Sequence, residues 1–197
     1  MKIYDISQEV FGSAVYPGDP SPERKVISSM ERGDLYRLTA FSMCAHNGTH
    51  IDAPAHFIRN GKTVEQLSLP KLIGEAYVAP FDGILDAKAA EKIYRKAQSA
   101  NAACAKRILL KGRAVVSSEA ARFFAKQKLD LLGVESQTVG PEDAPMEVHL
   151  ILLGAETVLL EGVRLGGVAE GVYLLHAAPL SLAGSDGAPC RATLTEF

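Results

Sequence analysis

The chain has 197 residues, a formal net charge of −2 and 47% hydrophobic residues, an ordinary composition with length enough to bury one sizeable core. Acidic and basic residues are interspersed, without the basic stripe that nucleic acid demands, and the most apolar late stretch, 148–160, is broken by His149, Gly154 and Glu156, so neither a nucleic-acid partner nor a membrane span is expected. Cys44, Cys104 and Cys190 are odd in number and irregularly spaced, which argues against a disulfide framework and a thiolate zinc site; no signal region opens the chain, and a soluble, cytoplasmic protein follows as the default.

In chain order, Met1–Ile6 reads as a strand. Tyr16-Pro17-Gly18-Asp19-Pro20-Ser21-Pro22 is dense in turn formers, and 35–44 carries strand-like residues. A further strand is expected over 74–81 and an amphipathic helix over 86–106, rich in Ala, Lys, Glu and Gln with Ile93 on one face. Arg107–Leu110 reads as a buried strand, Ser117-Ser118-Glu119 as the cap of a helix running to about Lys128, and 129–134 as another apolar strand. The pattern closes with a helix over 145–153 stopped by Gly154, a strand over 158–160, a last strand over 172–175, and the turn Gly184-Ser185-Asp186-Gly187. Strands and helices alternate through the second half, and no linker or repeat divides the chain, so the expectation is one α/β domain over 1–197.

Three of the five histidines fall between 46 and 56, with an aspartate among them. A helix would bring His46 and His50 together at i,i+4, but Gly48, Thr49, Ile51 and Pro54 are poor helix company. An extended segment instead sets His46, Gly48, His50, Asp52, Pro54 and His56 on one face. His50 and Asp52 then stand about 6–7 Å apart at their backbones, close enough to lean onto one metal ion. On a straight strand His46 lies about 13 Å from His50 and joins only if the chain bends, for which Gly48 is the place. His56, equally far beyond Asp52, falls outside the ligand set and is free for proton transfer, a task suited to an imidazole at neutral pH. His149 and Glu161 are candidates for the remaining ligands, although His149 equally suits a helix surface. His176 reads as a structural residue of an apolar strand, and Asp19 and Asp186 as turn residues.

The segment His46-x-Gly48-Thr49-His50-x-Asp52-x-Pro54-x-His56 resembles the signature H-x-G-T-H-x-D-x-P-x-H of the cyclase-like metal hydrolases, a family that includes bacterial kynurenine formamidases and isatin hydrolases. The match holds at every fixed position, and Tyr4-Asp5-Ile6-Ser7, Tyr16-Pro17-Gly18-Asp19 and the segment Gly184 to Ala192 extend it over most of the chain. The resemblance implies a swivelling β/β/α fold and a homodimer or higher oligomer. It also implies a site of one or two zinc ions, two sharing it in the formamidase branch: His46, His50 and Asp52 hold one metal, and Asp52 bridges to a second held by His149 and Glu161. Nitrogen and oxygen ligands without thiolate suit manganese as well as zinc. His56 takes the acid/base role. Two departures bear on substrate. Formamidases of this family usually carry Trp before the Pro-Gly-Asp turn, where this chain has Tyr16. Glu135 and Gln137 stand where the family more often shows Asp and Ser.

The expected activity is hydrolysis of a small amide, lactam or related carbonyl compound. Two alternatives compete with it: cyclisation or dehydration on the same fold and metal, and a purely structural ion. Structural zinc sites are normally closed by four protein ligands, while catalytic ones keep an open position. The spare His56 beside the cluster favours catalysis.

Overall fold

The computed structural model describes residues 1–196. Strand β1 (Lys2–Asp5) is followed by the turn-rich segment and a hairpin of β2 (Glu23–Ser28) and β3 (Leu38–Ser42). Next come β4 (His50–Asp52), a 3-10 turn at Pro54–His56, a single helical turn α1 (Leu69–Leu72), β5 (Ile73–Pro80), β6 (Gly83–Leu85) and helix α2 (Ala87–Ala100). The second half runs β7 (Arg107–Lys111), β8 (Ala114–Val116), α3 (Ser118–Gln127), β9 (Leu131–Val134), α4 (Met146–Gly154) and β10 (Val158–Glu161). It ends with β11 (Gly171–His176), β12 (Gly187–Pro189) and β13 (Thr193–Glu196).

Among the described residues, nine strands form one mixed sheet in the order β1-β13-β11-β5-β7-β9-β10-β4-β12. The central run β5-β7-β9-β10 is parallel and its flanks are antiparallel. Parallel strands covered on both faces need apolar residues in both phases of the pleat. This is why 108–110 reads as a continuous apolar run: Ile108 and Leu110 pack with Ala90, Ile93 and Phe124 of the helices, while Leu109 packs with Leu131, Leu160 and Val163 on the other face.

The expected α/β class and the swivelling β/β/α architecture hold, with differences in detail. Asp86 and Ser117 cap α2 and α3 by accepting from the backbone N–H of Ala89 and Ala120, contacts worth about 1 kcal/mol each. Helix α2 stops at Ala100 rather than Lys106, because Asn101 is extended and its side chain accepts from Ala103 N. The strand expected over 35–44 contracts to β3. Two strands, β12 and β13, follow the segment expected to be last, and β13 pairs with β1. His176 ends β11 exposed; the alternation buries Tyr173 and Leu175 instead.

Candidate active site

Strand β4 is held between β10 and β12, with Asp52 opposite Leu159 and Gly187, and His50 opposite Glu161 and Pro189. Its central residue, Ile51, enters the apolar core. His50 and Asp52 therefore share the opposite face, and Glu161 joins them from the neighbouring strand. The chain does bend at Gly48, where φ is +66°. Thr49 Oγ1 donates to Gly162 O at 2.8 Å and accepts from Gln8 N at 2.9 Å, while Gln137 Nε2 donates to Gly48 O at 3.1 Å, fixing the bend. His46 is folded back so that its Nδ1 lies 2.8 Å from Asp52 Oδ1.

The extended segment expected over 46–56 survives only at His50–Asp52. Pro54, with φ preset near a helical value, opens a 3-10 turn instead of continuing the strand. That turn curls His56 back over His46, with ring centroids 4.0 Å apart, rather than leaving it far along a straight strand.

His149 projects from α4 and is buried, not on the helix surface. Its Nδ1 faces Pro145 O at 2.8 Å, as His50 Nδ1 faces Gly48 O at 3.0 Å. A carbonyl only accepts, so each Nδ1 carries a proton and each Nε2 is the atom offered to the acids. His50 Nε2 lies 3.4 Å from Asp52 Oδ1 and 3.5 Å from Glu161 Oε2. His149 Nε2 lies 3.4 Å from Glu161 Oε1 and 3.7 Å from Asp52 Oδ2. Glu161 Oε1 also accepts from Val139 N at 2.8 Å.

Burial alone would discharge these groups, but their neighbours dominate. Desolvation disfavours the His50 imidazolium, yet Asp52 and Glu161 outweigh it and hold the pKa up to about 10. Burial likewise opposes the charged forms of His46 and His149, and Asp52 and Glu161 respectively raise both above the usual range. Desolvation works to raise Asp52, but His46 and His50 keep its carboxyl well below the ordinary value.

These residues fit a divalent cation. Asp52 Oδ2 is buried with no hydrogen-bond partner among the described residues, a costly state for a carboxylate oxygen unless a charge completes it. Ligand atoms of His46, His50 and Asp52 lie within 4.8 Å of one another, and so do those of Asp52, His149 and Glu161, with Asp52 common to both groups. The donors are imidazole and carboxylate without thiolate, a set suited to zinc or manganese.

The cluster opens into a cavity of about 230 Å³ whose outer wall includes Tyr16, Asp19, Phe57, Gln137, Thr138 and Pro145. Phe57 stacks on His149 at 4.6 Å between centroids, and Tyr16 is tied to the rim by its hydroxyl, which donates to Glu142 O at 2.8 Å. Glu135 does not reach this cavity: its carboxylate accepts from Gly112 N and Leu165 N at 2.6 and 2.8 Å and braces two loops. Of the two departures around 135–137, only Gln137 touches the pocket. Sequence reasoning set Asp19 and Asp186 aside as turn residues, but both belong here. Asp186 Oδ2 lies 2.9 Å from His56 Nδ1 and 3.0 Å from His46 Nε2. The segment Gly184 to Ala192 already carried the family resemblance, and that was the available signal for Asp186. Nothing in the sequence marked Phe57 or Thr138.

A buried imidazole and carboxylate cluster at the edge of an α/β sheet, open to a small cavity, defines the class of a metal-dependent hydrolase. Residues 4–141 match the Cyclase family, described as "Putative cyclase", and the chain belongs to that family. A kynurenine formamidase of Bacillus anthracis is 33% identical over 208 residues, covering 98% of this chain and 97% of the relative. A solved structure described as a "potential metal-dependent hydrolase with cyclase activity" superposes with a TM-score of 0.80 at 27% identity, covering 98% and 96%. An isatin hydrolase bound to the product analogue thioisatinate shares the fold, with a TM-score of 0.82 at 18% identity over 98% of this chain and 91% of the other.

Proposed function

We propose that the chain, a metal-dependent amide hydrolase, cleaves small arylformamides and related amides, lactams or cyclic imides with one or two divalent ions, zinc or manganese. The observation that carries this reading is the pair of donor groups sharing Asp52, whose Oδ2 has no hydrogen-bond partner among the described residues. His46, His50 and Asp52 would hold one ion; Asp52, His149 and Glu161 would hold a second. Bound there, a divalent ion supplies Lewis acidity, polarising a carbonyl and lowering the pKa of water to about 7. The opening to the cavity supports catalysis over a purely structural ion, which a closed shell would surround.

The chain's own residues supply the rest. His56 lies at the cavity with Nδ1 engaged by Asp186, leaving Nε2 to pass a proton to the leaving nitrogen. Phe57 and Tyr16 offer aromatic surface to the organic part of the substrate. A phenol in place of an indole removes stacking surface worth about 0.5–1.5 kcal/mol, up to roughly tenfold in binding. N-formylkynurenine should therefore be hydrolysed measurably but inefficiently, and a smaller amide, lactam or cyclic imide should do better.

Rates on N-formylkynurenine, isatin and a small cyclic imide, measured on zinc- and manganese-loaded protein, test the reading. High efficiency on N-formylkynurenine would overturn the inference from Tyr16, and no turnover of any of the three would remove the amide substrate class. We also propose a homodimer or higher assembly, supported by the exposed apolar residues of the β2–β3 hairpin. A reducing, cytoplasmic setting is supported by three free thiols.

A further inference from the structure

Asp186 lies in a turn that sequence reasoning treats as a plain connection, yet the turn is fastened to the segment that carries His56. Ala53 N donates to Asp186 O at 2.9 Å and Val64 N donates to Ser185 O at 2.9 Å, one anchor on each side of the Pro54–His56 turn. Gly184 N donates to Glu65 Oε2 at 3.1 Å, and Ser185 Oγ closes the turn onto Gly187 O at 2.6 Å. At Gly187 a side chain is excluded, because a Cβ would sit 2.5 Å from His46 Cε1. The main chain around Asp186 thus has little freedom relative to both imidazoles, and a single oxygen, Oδ2, faces His56 Nδ1 and His46 Nε2 together.

We propose that Asp186 is the positioning residue of the proton-transfer histidine: it holds His56 as the Nδ1–H tautomer with Nε2 toward the cavity, and through the same oxygen fixes the ring of His46. A free imidazole chooses between tautomers and rotates. A carboxylate on one nitrogen removes both freedoms and stabilises the imidazolium that forms when the other takes a proton. On His46 the same carboxylate acts as the outer partner that a metal-holding imidazole commonly has. The inference rests on the assignment of His56 to proton transfer made above.

The test uses zinc-loaded protein with Asp186→Asn and Asp186→Ala, each in the native and the His56→Ala background. Activity is read on N-formylkynurenine, zinc affinity by competition with a chelator, and the His56 tautomer by imidazole ¹⁵N NMR. Asp186→Asn, which keeps the size of the side chain, should lower kcat roughly 10²-fold with KM little changed. It should weaken zinc about 10–100-fold. Asp186→Ala should shift neutral His56 from the Nδ1–H toward the Nε2–H tautomer. In the His56→Ala background at saturating zinc, neither change should cost further kcat. An unchanged tautomer in Asp186→Ala overturns the proposal, as does an equal loss of kcat in both backgrounds. If His56→Ala alone leaves kcat intact, the assignment of His56 fails, and the tautomer still decides whether Asp186 positions that ring.

Discussion

Where β4 meets β10, His50, Asp52, His149 and Glu161 are only 1%, 1%, 3% and 2% exposed, whereas along the β2–β3 hairpin Val26, Ile27, Leu38 and Phe41 are 45%, 45%, 45% and 59% exposed. One region takes ionisable groups out of water; the other leaves apolar side chains in it. Each arrangement is unfavourable for an isolated chain. In the proposed reading each is completed by something else: the carboxylate oxygen without a hydrogen-bond partner by a cation, and the uncovered two-stranded arm by another protein surface.

The largest expected effect comes from removing the shared acid. Asp52→Asn should abolish stoichiometric metal binding and with it activity, more severely than His46→Ala, because Asp52 belongs to both donor groups. Elemental analysis after reconstitution with zinc or manganese measures this, and metal content equal to that of the native protein would break the reading of the buried region. Next is His56→Ala, which should lower kcat roughly 10²–10⁴-fold while bound metal stays near the native level. Loss of metal together with activity would move His56 into the ligand set.

The third effect is on stability against pH. Without a cation, His50 rises from the ordinary 6.5 to about 10. A raised folded-state pKa stabilises fully below the unfolded value and is lost as pH climbs toward the folded one, so metal-free protein should lose stability between about pH 6.5 and 10. The slope is about 1.4 kcal/mol per pH unit for one proton, or roughly 3–6 °C in Tm. Metal-loaded protein, whose ligands have already given up their protons, should lack this loss. Melting curves of both forms across the window should diverge as pH rises; parallel curves would refute the sign.

The smallest effect on catalysis belongs to the arm. A Leu38→Ser, Phe41→Ser double variant should weaken self-association by tenfold or more if these residues anchor an interface. Tm measured at low protein concentration should change little, since isolated surface substitutions fall within about 0.5 kcal/mol. Light scattering against concentration checks it, and a native protein that is monomeric at all concentrations would dissolve the comparison.

The two regions were unequally legible. The candidate ligands between His46 and His56 stood out because the chemistry proposed for them restricts residue type strongly and their spacing is local. The bend at Gly48 was readable because glycine takes φ +66° at no steric cost. The curl of His56 onto His46 was not, since the 3-10 turn at Pro54 competes with a strand by small differences in backbone preference. Asp186 lies 130 residues from its partner His56, beyond the reach of any spacing argument. Strand β2 has no buried face to impose an alternation, so its sequence Glu23-Arg24-Lys25-Val26-Ile27-Ser28 gives no period-two signal.

The place of β4 in the sheet also sets an order of events during synthesis. Its neighbours, β10 and β12, come from residues 158–161 and 187–189. A ribosome therefore releases the His50 and Asp52 strand long before either pairing edge exists, and chains fold from the N-terminus as they emerge. Until those two strands are available, the segment lacks the partners it has in the folded sheet. The proposed site is therefore assembled only once both later edges have been made, and a chain truncated shortly before Gly187 would carry its proposed metal ligands without the edge strand that seats them.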